Sequence, residues 1–126
     1  LKEETLENGE TRTVLSLPPA LAPIKVAILP LTKKDGLPEK AREIEAKLRF
    51  VGRTFYEEKD TIGKRYRRMD AIGTPYCITI DHQTLTDNTV TLRDRDTMQQ
   101  ERISIDNLEQ FIADKVNMNT LLRKLV

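Results

Sequence analysis

Tryptophan is absent, cysteine and histidine occur once each, and three tyrosines and three phenylalanines are the whole aromatic complement of 126 residues. The lone Cys77 excludes an internal disulfide and suits a reducing compartment, so a cytoplasmic location is expected. It sits mid-strand between apolar neighbours, the setting of a small buried hydrophobe and not of an activated nucleophile. His82 falls in the polar, turn-rich stretch from Asp81 to Asn88 with no serine or cysteine partner nearby, and reads as a solvated loop histidine. There is no Cys/His cluster for zinc and no glycine-rich phosphate loop, and Asp81 and Asp87 do not build a metal loop. No apolar run approaches membrane-spanning length, and no leader pattern opens the chain. The residue inventory therefore gives little support to catalysis by this chain alone.

Excess charge of either sign is also missing. Twenty-one basic residues face twenty acidic ones, for a formal charge of +1. With 38% hydrophobic and 33% charged residues the composition is that of a soluble globular chain of one domain. A broad nonspecific grip on nucleic acid is not expected. What charge there is gathers locally. Glu3, Glu4, Glu7 and Glu10 against Lys2 make the first ten residues acidic. Together with the start at Leu1, this suggests a tail left from an upstream region over residues 1–12, with the domain proper over 13–126. Cations concentrate between Gly63 and Arg102, in Gly63-Lys64-Arg65-Tyr66-Arg67-Arg68 and again in Arg93-Asp94-Arg95-Asp96-Thr97-Met98-Gln99-Gln100-Glu101-Arg102.

Residues 1–12 read as a frayed helix end or linker. Leu17-Pro18-Pro19 and Ala22-Pro23 force extended or turn backbone. Ile24 to Leu29 is a near-continuous apolar run ended by Pro30, as in a strand covered on both faces. Pro38, then Ala41, Ile44, Leu48 and Val51 at helical spacing, and Gly52 as a stop, predict a helix. Thr54-Phe55-Tyr56 is a short strand. Asp60 is a candidate cap for a helix through Ile72 that Gly73 ends. At about 100° per residue, Ile62, Tyr66 and Met69 share one face of it, Lys64, Arg67 and Arg68 point away, and Arg65 lies on the border. Tyr76 to Ile80 is a buried strand, and Thr89 to Arg93 and Arg102 to Ile105 alternate as half-covered strands do. Asp106 with Glu109 makes an acidic version of a capping box before Leu108, Phe111, Ile112 and Val116. Leu121, Leu122 and Leu125 suggest a last short helical piece. The order strand–helix–strand–helix–strand–strand–strand–helix predicts an α/β fold. It is a three-layer α/β/α sandwich on a mixed five-stranded sheet, with one antiparallel strand after the third.

Two constellations could carry binding. Lys64, Arg67 and Arg68 on one helix face suit phosphates, where cations bring affinity without sequence reading; the alternative is a solvated face pairing with Asp60 and Asp70. In the second cluster, Thr89, Thr91 and Arg93 share a strand face opposite Val90 and Leu92, and Arg95 and Asp96 continue into the turn. An unpaired cytosine offers O2 and N3 as acceptors and N4 as donor. An arginine beside a carboxylate supplies the complement. The alternative is an internal ion-pair network that pins the turn.

These stretches carry a resemblance. Leu21 to Leu31, Asp60 to Arg68, Asp70-Ala71-Ile72-Gly73-Thr74-Pro75, and above all Thr89 to Met98 with Gln100-Glu101-Arg102 make the chain resemble the C-terminal anticodon-binding domain of glycyl-tRNA synthetase, the dimeric class II type. The likeness runs from about Thr11 to Asp114. The Ala-Pro strand opening and the Gly-x-Pro entry also suit threonyl, prolyl and histidyl relatives; the Lys-Arg-Tyr-Arg-Arg run joined to Arg-Asp-Arg-Asp-Thr-Met points to the glycyl enzyme. The resemblance implies a sheet in order 2-1-3-4-5 with the fourth strand antiparallel. It implies docking of the anticodon loop of glycine tRNA, which carries two adjacent cytosines. It implies ATP, glycine and magnesium for the full-length homodimer but no cofactor, metal or catalytic residue in this stretch. The fragment itself could be monomeric. The residues it suggests for anticodon reading are Arg93 and Arg95 as donors, with Asp94, Asp96 or Glu101 accepting from N4 or orienting the arginines. Lys33, Lys34, Arg65, Arg67, Arg68 and Arg102 are expected to support the RNA backbone electrostatically. Two rivals stand beside this reading: an interaction or accessory module of the same fold without tRNA specificity, and a small α/β enzyme with its ligand at the sheet's switch point.

Overall fold

Residues 2–6 and 11–116 are described by the structure, a computed structural model. The chain opens with an antiparallel pair, β1 (Lys2–Thr5) on β2 (Thr11–Val14). This corrects the expected helix end. Neither strand carries an apolar pattern that would have shown it, and β2 spans the boundary expected between residues 12 and 13. Arg12 and Val14 are buried.

The remaining order is β3 (Val26–Pro30), α1 (Leu37–Leu48), β4 (Thr54–Tyr56), α2 (Ile62–Ile72), β5 (Tyr76–Ile80), α3 (His82–Asp87), β6 (Thr89–Asp94), β7 (Gln100–Ser104) and α4 (Ile105–Val116). The five-stranded sheet runs β4-β3-β5-β6-β7, with β6 antiparallel to both neighbours. Counted from β3, this is the expected order 2-1-3-4-5. Both central strands are buried throughout because both faces are covered. On one face Val26, Ile28, Tyr76, Ile78, Ile80, Val90 and Leu92 pack against Leu37, Ala41, Ile44 and Leu48 of α1 and Leu108 and Ile112 of α4. On the other, Ala27, Leu29 and Cys77 meet Tyr66 and Met69 of α2. The result is the three-layer sandwich.

Local differences follow from capping chemistry. The Thr61 side chain, not that of Asp60, accepts the Lys64 amide and starts α2. Gly73 ends it at φ 83°, where a Cβ would press on Leu15 at 3.0 Å. The stretch after β5 is helical: Asp81 and Thr84 exchange side-chain-to-backbone bonds in a capping box. Ser104, rather than Asp106, supplies an oxygen at the start of α4, to the Asp106 amide at 3.2 Å. The expected helical piece at Leu121, Leu122 and Leu125 lies outside the described residues.

Candidate nucleic-acid interface

The turn from β6 to β7 is where the predicted site residues converge. The Asp94 Oδ1 accepts the amides of Asp96 and Thr97 at 2.8 and 3.2 Å, and the Met98 amide reaches back to the Asp94 carbonyl at 2.9 Å. The Asp94 amide donates to the Gln99 carbonyl at 3.0 Å. This tight turn forms one wall of a half-open cleft of about 450 Å³ lined by Tyr76, Leu92, Asp94, Thr97, Gln99, Gln100, Glu101 and Phe111. Its apolar part is Leu92 with the edge-to-face pair Tyr76 and Phe111, centroids 5.9 Å apart. Its polar part comes from Asp94, Glu101, Thr97, Gln99 and Gln100, together with the Tyr76 hydroxyl. Burial, reinforced by the Asp94 and Asp96 charges, pushes the Tyr76 phenol up to about 12, so it stays protonated.

The two arginines expected to read bases are placed differently. Arg93 and Arg95 are each 2% exposed. The Arg93 guanidinium donates to both Asp70 oxygens at 2.8 and 3.1 Å and lies over the Tyr66 ring. Burial alone would lower its pKa, but the bonds and charge of Asp70 outweigh that and hold it above its ordinary value. Arg95 donates to the carbonyls of Gly73 and Leu17 at 2.8 and 2.6 Å and to Asp96 at 2.9 and 3.1 Å. Every terminal nitrogen of both side chains is bonded within the chain, which is the internal network weighed as the alternative. Geometry thus favours that network for Arg93 and Arg95 and leaves Asp94 and Glu101 in the cleft. Asp96, exposed, orients Arg95.

The supporting cations divide as well. Arg65, expected at a helix border, is 1% exposed and donates to the carbonyls of Pro30, Glu57 and Leu31 at the ends of β3 and β4. Its burial lowers its pKa. Arg68 pairs with Glu57 and Asp60 at 3.0 and 2.6 Å, and Arg67 is half-buried. Lys64 is exposed on α2. Lys33 and Lys34 are exposed in the loop after β3. Strand register puts that loop near Ile80, at the opposite end of the sheet from Tyr76 and Asp94. Arg102 is held there too, by Asp81 at 2.6 and 2.7 Å. The Arg102 hydrogen bonds draw the Asp81 carboxyl down to about 2, against the opposing effect of its partial burial. His82 meets Asp35 at 2.8 Å on the surface. Among the described residues no group of three His, Cys, Asp or Glu is placed to hold a metal ion, and no helix is long and apolar enough to cross a membrane.

A family model described as "Anticodon binding domain" matches residues 25–115. The chain belongs to the anticodon-binding domain family. Its relatives narrow the kind. It is 60% identical over 114 residues to a glycine–tRNA ligase of Clostridium tetani, covering 90% of this chain and 24% of that protein. It is 53% identical over 116 residues to a glycine–tRNA ligase of Rhodopirellula baltica, covering 90% and 22%. The chain thus spans about a quarter of the length of the curated relatives it matches. Among solved structures, the RNA binding domain of threonyl-tRNA synthetase from Cryptosporidium parvum is similar at a TM-score of 0.71 and 27% identity, over 79% of this chain and 25% of that one. A prolyl-tRNA synthetase from the same organism shares the fold at a TM-score of 0.72 and 22% identity, over 88% and 25%.

Within this anticodon-binding domain, sequence reasoning missed Tyr76, Thr97, Gln99, Gln100 and Phe111 as cleft residues. Tyr76 and Phe111 read as core, and in part they are. The available signal was the crowding of amides and hydroxyls between two charged residues in a turn.

Proposed function

We propose that the chain is the tRNA-recognition domain of a glycine–tRNA ligase, docking the anticodon loop of glycine tRNA so that the acceptor end reaches the catalytic part of the same polypeptide. The domain itself is non-catalytic. The full-length enzyme is a cytoplasmic homodimer that uses ATP, glycine and magnesium. Close likeness to glycine–tRNA ligases supports the parent. The observation that carries the reading is the cleft, where carboxylates and amides stand over an aromatic floor.

Cytosine fits that set. A carboxylate of Asp94 or Glu101 accepts from N4, and the amide of Gln99 donates to O2 or N3. Asp94 can give Oδ2, since Oδ1 serves the turn. Tyr76 and Phe111 offer apolar surface to an unstacked base. Binding of a glycine-tRNA anticodon stem-loop tests the proposal. Changing either anticodon cytosine to uracil should cost about 1–3 kcal/mol, and Glu101→Gln should shrink that difference. Equal binding of all loops would instead mark an interaction module of the same fold.

A further inference from the structure

Arg12 lies 58 residues before Asp70 and 83 before Arg95, yet its side chain meets both. The guanidinium is 0% exposed. Its Nη1 donates to the Asp70 Oδ2 at 3.0 Å and to the Arg95 carbonyl at 2.7 Å, its Nη2 reaches the Asp96 carbonyl at 3.5 Å, and its Nε donates to Glu4 at 2.8 Å. Asp70, 0% exposed, also holds Arg93. One buried carboxylate therefore joins β2, α2 and β6. Through Arg12 the same unit grips the backbone of the turn at its first two residues after Asp94. The carbonyls of Arg95 and Asp96 have no β7 partner in the sheet register, because pairing stops at Arg93 with Gln100. Arg12 donates to both carbonyls, while the Arg95 amide holds the Pro75 carbonyl at 2.9 Å.

We infer that Arg12 is a positioning residue for the cleft: by binding the Arg95 and Asp96 carbonyls against Asp70 it sets the turn that presents Asp94, Thr97 and Gln99 to the base. The inference rests on the reading of the cleft as the anticodon site. A planar fork suits the position, because one group meets the Asp70 and Glu4 carboxylates and two carbonyls at once; an ammonium has the charge but neither the spread nor the number of donors. Arg12 does not line the cleft, so its removal changes the shape of the reader and not its chemistry.

The test uses the full-length protein with Arg12→Met, which keeps the apolar stem, and Arg12→Lys, which keeps the charge. Binding is measured to glycine-tRNA anticodon stem-loops with the native cytosines and with each replaced by uracil. Hydrogen exchange is followed over residues 94–99 and over β3 and β5. The expected result is a loss of discrimination between loops by about tenfold in the Met variant, partial recovery with Lys, and faster exchange in the turn while β3 and β5 stay protected. A folded variant that weakens all loops equally, with turn exchange unchanged, overturns the inference. Should Arg12→Met fail to fold, Arg12→Lys decides by the same two readouts. If the unaltered protein does not distinguish the loops, the anticodon reading fails, and the exchange of residues 94–99 alone still decides whether Arg12 sets the turn.

Discussion

Asp70 shows how one residue can bind three segments. It is buried among two guanidinium groups and is the direct partner of both. Breaking such a cluster leaves buried charge without compensation, which is costlier than never having formed it. Asp70→Asn should therefore destabilise the protein by about 3–5 kcal/mol, read from chemical denaturation, although the substitution keeps the side chain's size. A second single-residue expectation concerns Cys77. Complete burial pushes its thiol up to about 12, so at pH 8 the thiolate is both scarce and out of reach. Labelling by a thiol-specific reagent should track global unfolding, with no reaction beyond that rate in the native state. Fast labelling of folded protein would show that β5 opens on its own.

At the scale of elements, legibility depended on how much of an element's reason lies within its own residues. The apolar run ending at Pro30 announces β3 because a central strand buried on both faces needs no partner to be seen. The six residues of α3 carry no apolar stripe. They are helical because Asp81 and Thr84 cap them, and with threonine in the box's third place that pattern is faint. Arg93 illustrates a different limit. Alternation correctly put Thr89, Thr91 and Arg93 on one face of β6, but whether that face is open or closed is decided by α2. Tyr66 and Asp70 lie over Arg93, whereas Thr91 borders a small open groove with Leu31 and Gln100. Asp81 links two elements, capping α3 and holding Arg102 of β7. Its carboxyl is drawn down from 3.8 to about 2 in the folded protein, so its contribution is fully present above about pH 4 and is lost as pH falls through about 2. The stability gap between the unaltered protein and Asp81→Asn should accordingly close over that interval in urea melts at stepped pH. A gap that is constant with pH would mean that Arg102 gains nothing from the charge.

Across the whole molecule the charge is nearly balanced, and most cations expected to hold RNA are already committed. Arg65, Arg68, Arg93, Arg95 and Arg102 all have partners within the chain. Exposed Lys64 and half-buried Arg67 on α2 and exposed Lys33 and Lys34 beyond β3 remain for phosphate. Few phosphate contacts mean a shallow salt dependence, since each neutralised phosphate on a single strand adds about 0.7 to the slope of log K against log salt. The expected slope for an anticodon stem-loop is therefore about −1 to −3, well short of a basic nucleic-acid binder. Lys64→Ala should weaken every loop by a similar factor and reduce the slope by up to about one. Glu101→Gln should leave the slope nearly unchanged but alter the preference for cytosine. Anisotropy titrations across a salt series separate the two effects, because one variant moves the slope and the other the ratio between loops. A slope far steeper than three would show that the paired arginines exchange their internal partners for phosphate on binding, and would return Arg102 and Arg68 to the RNA surface.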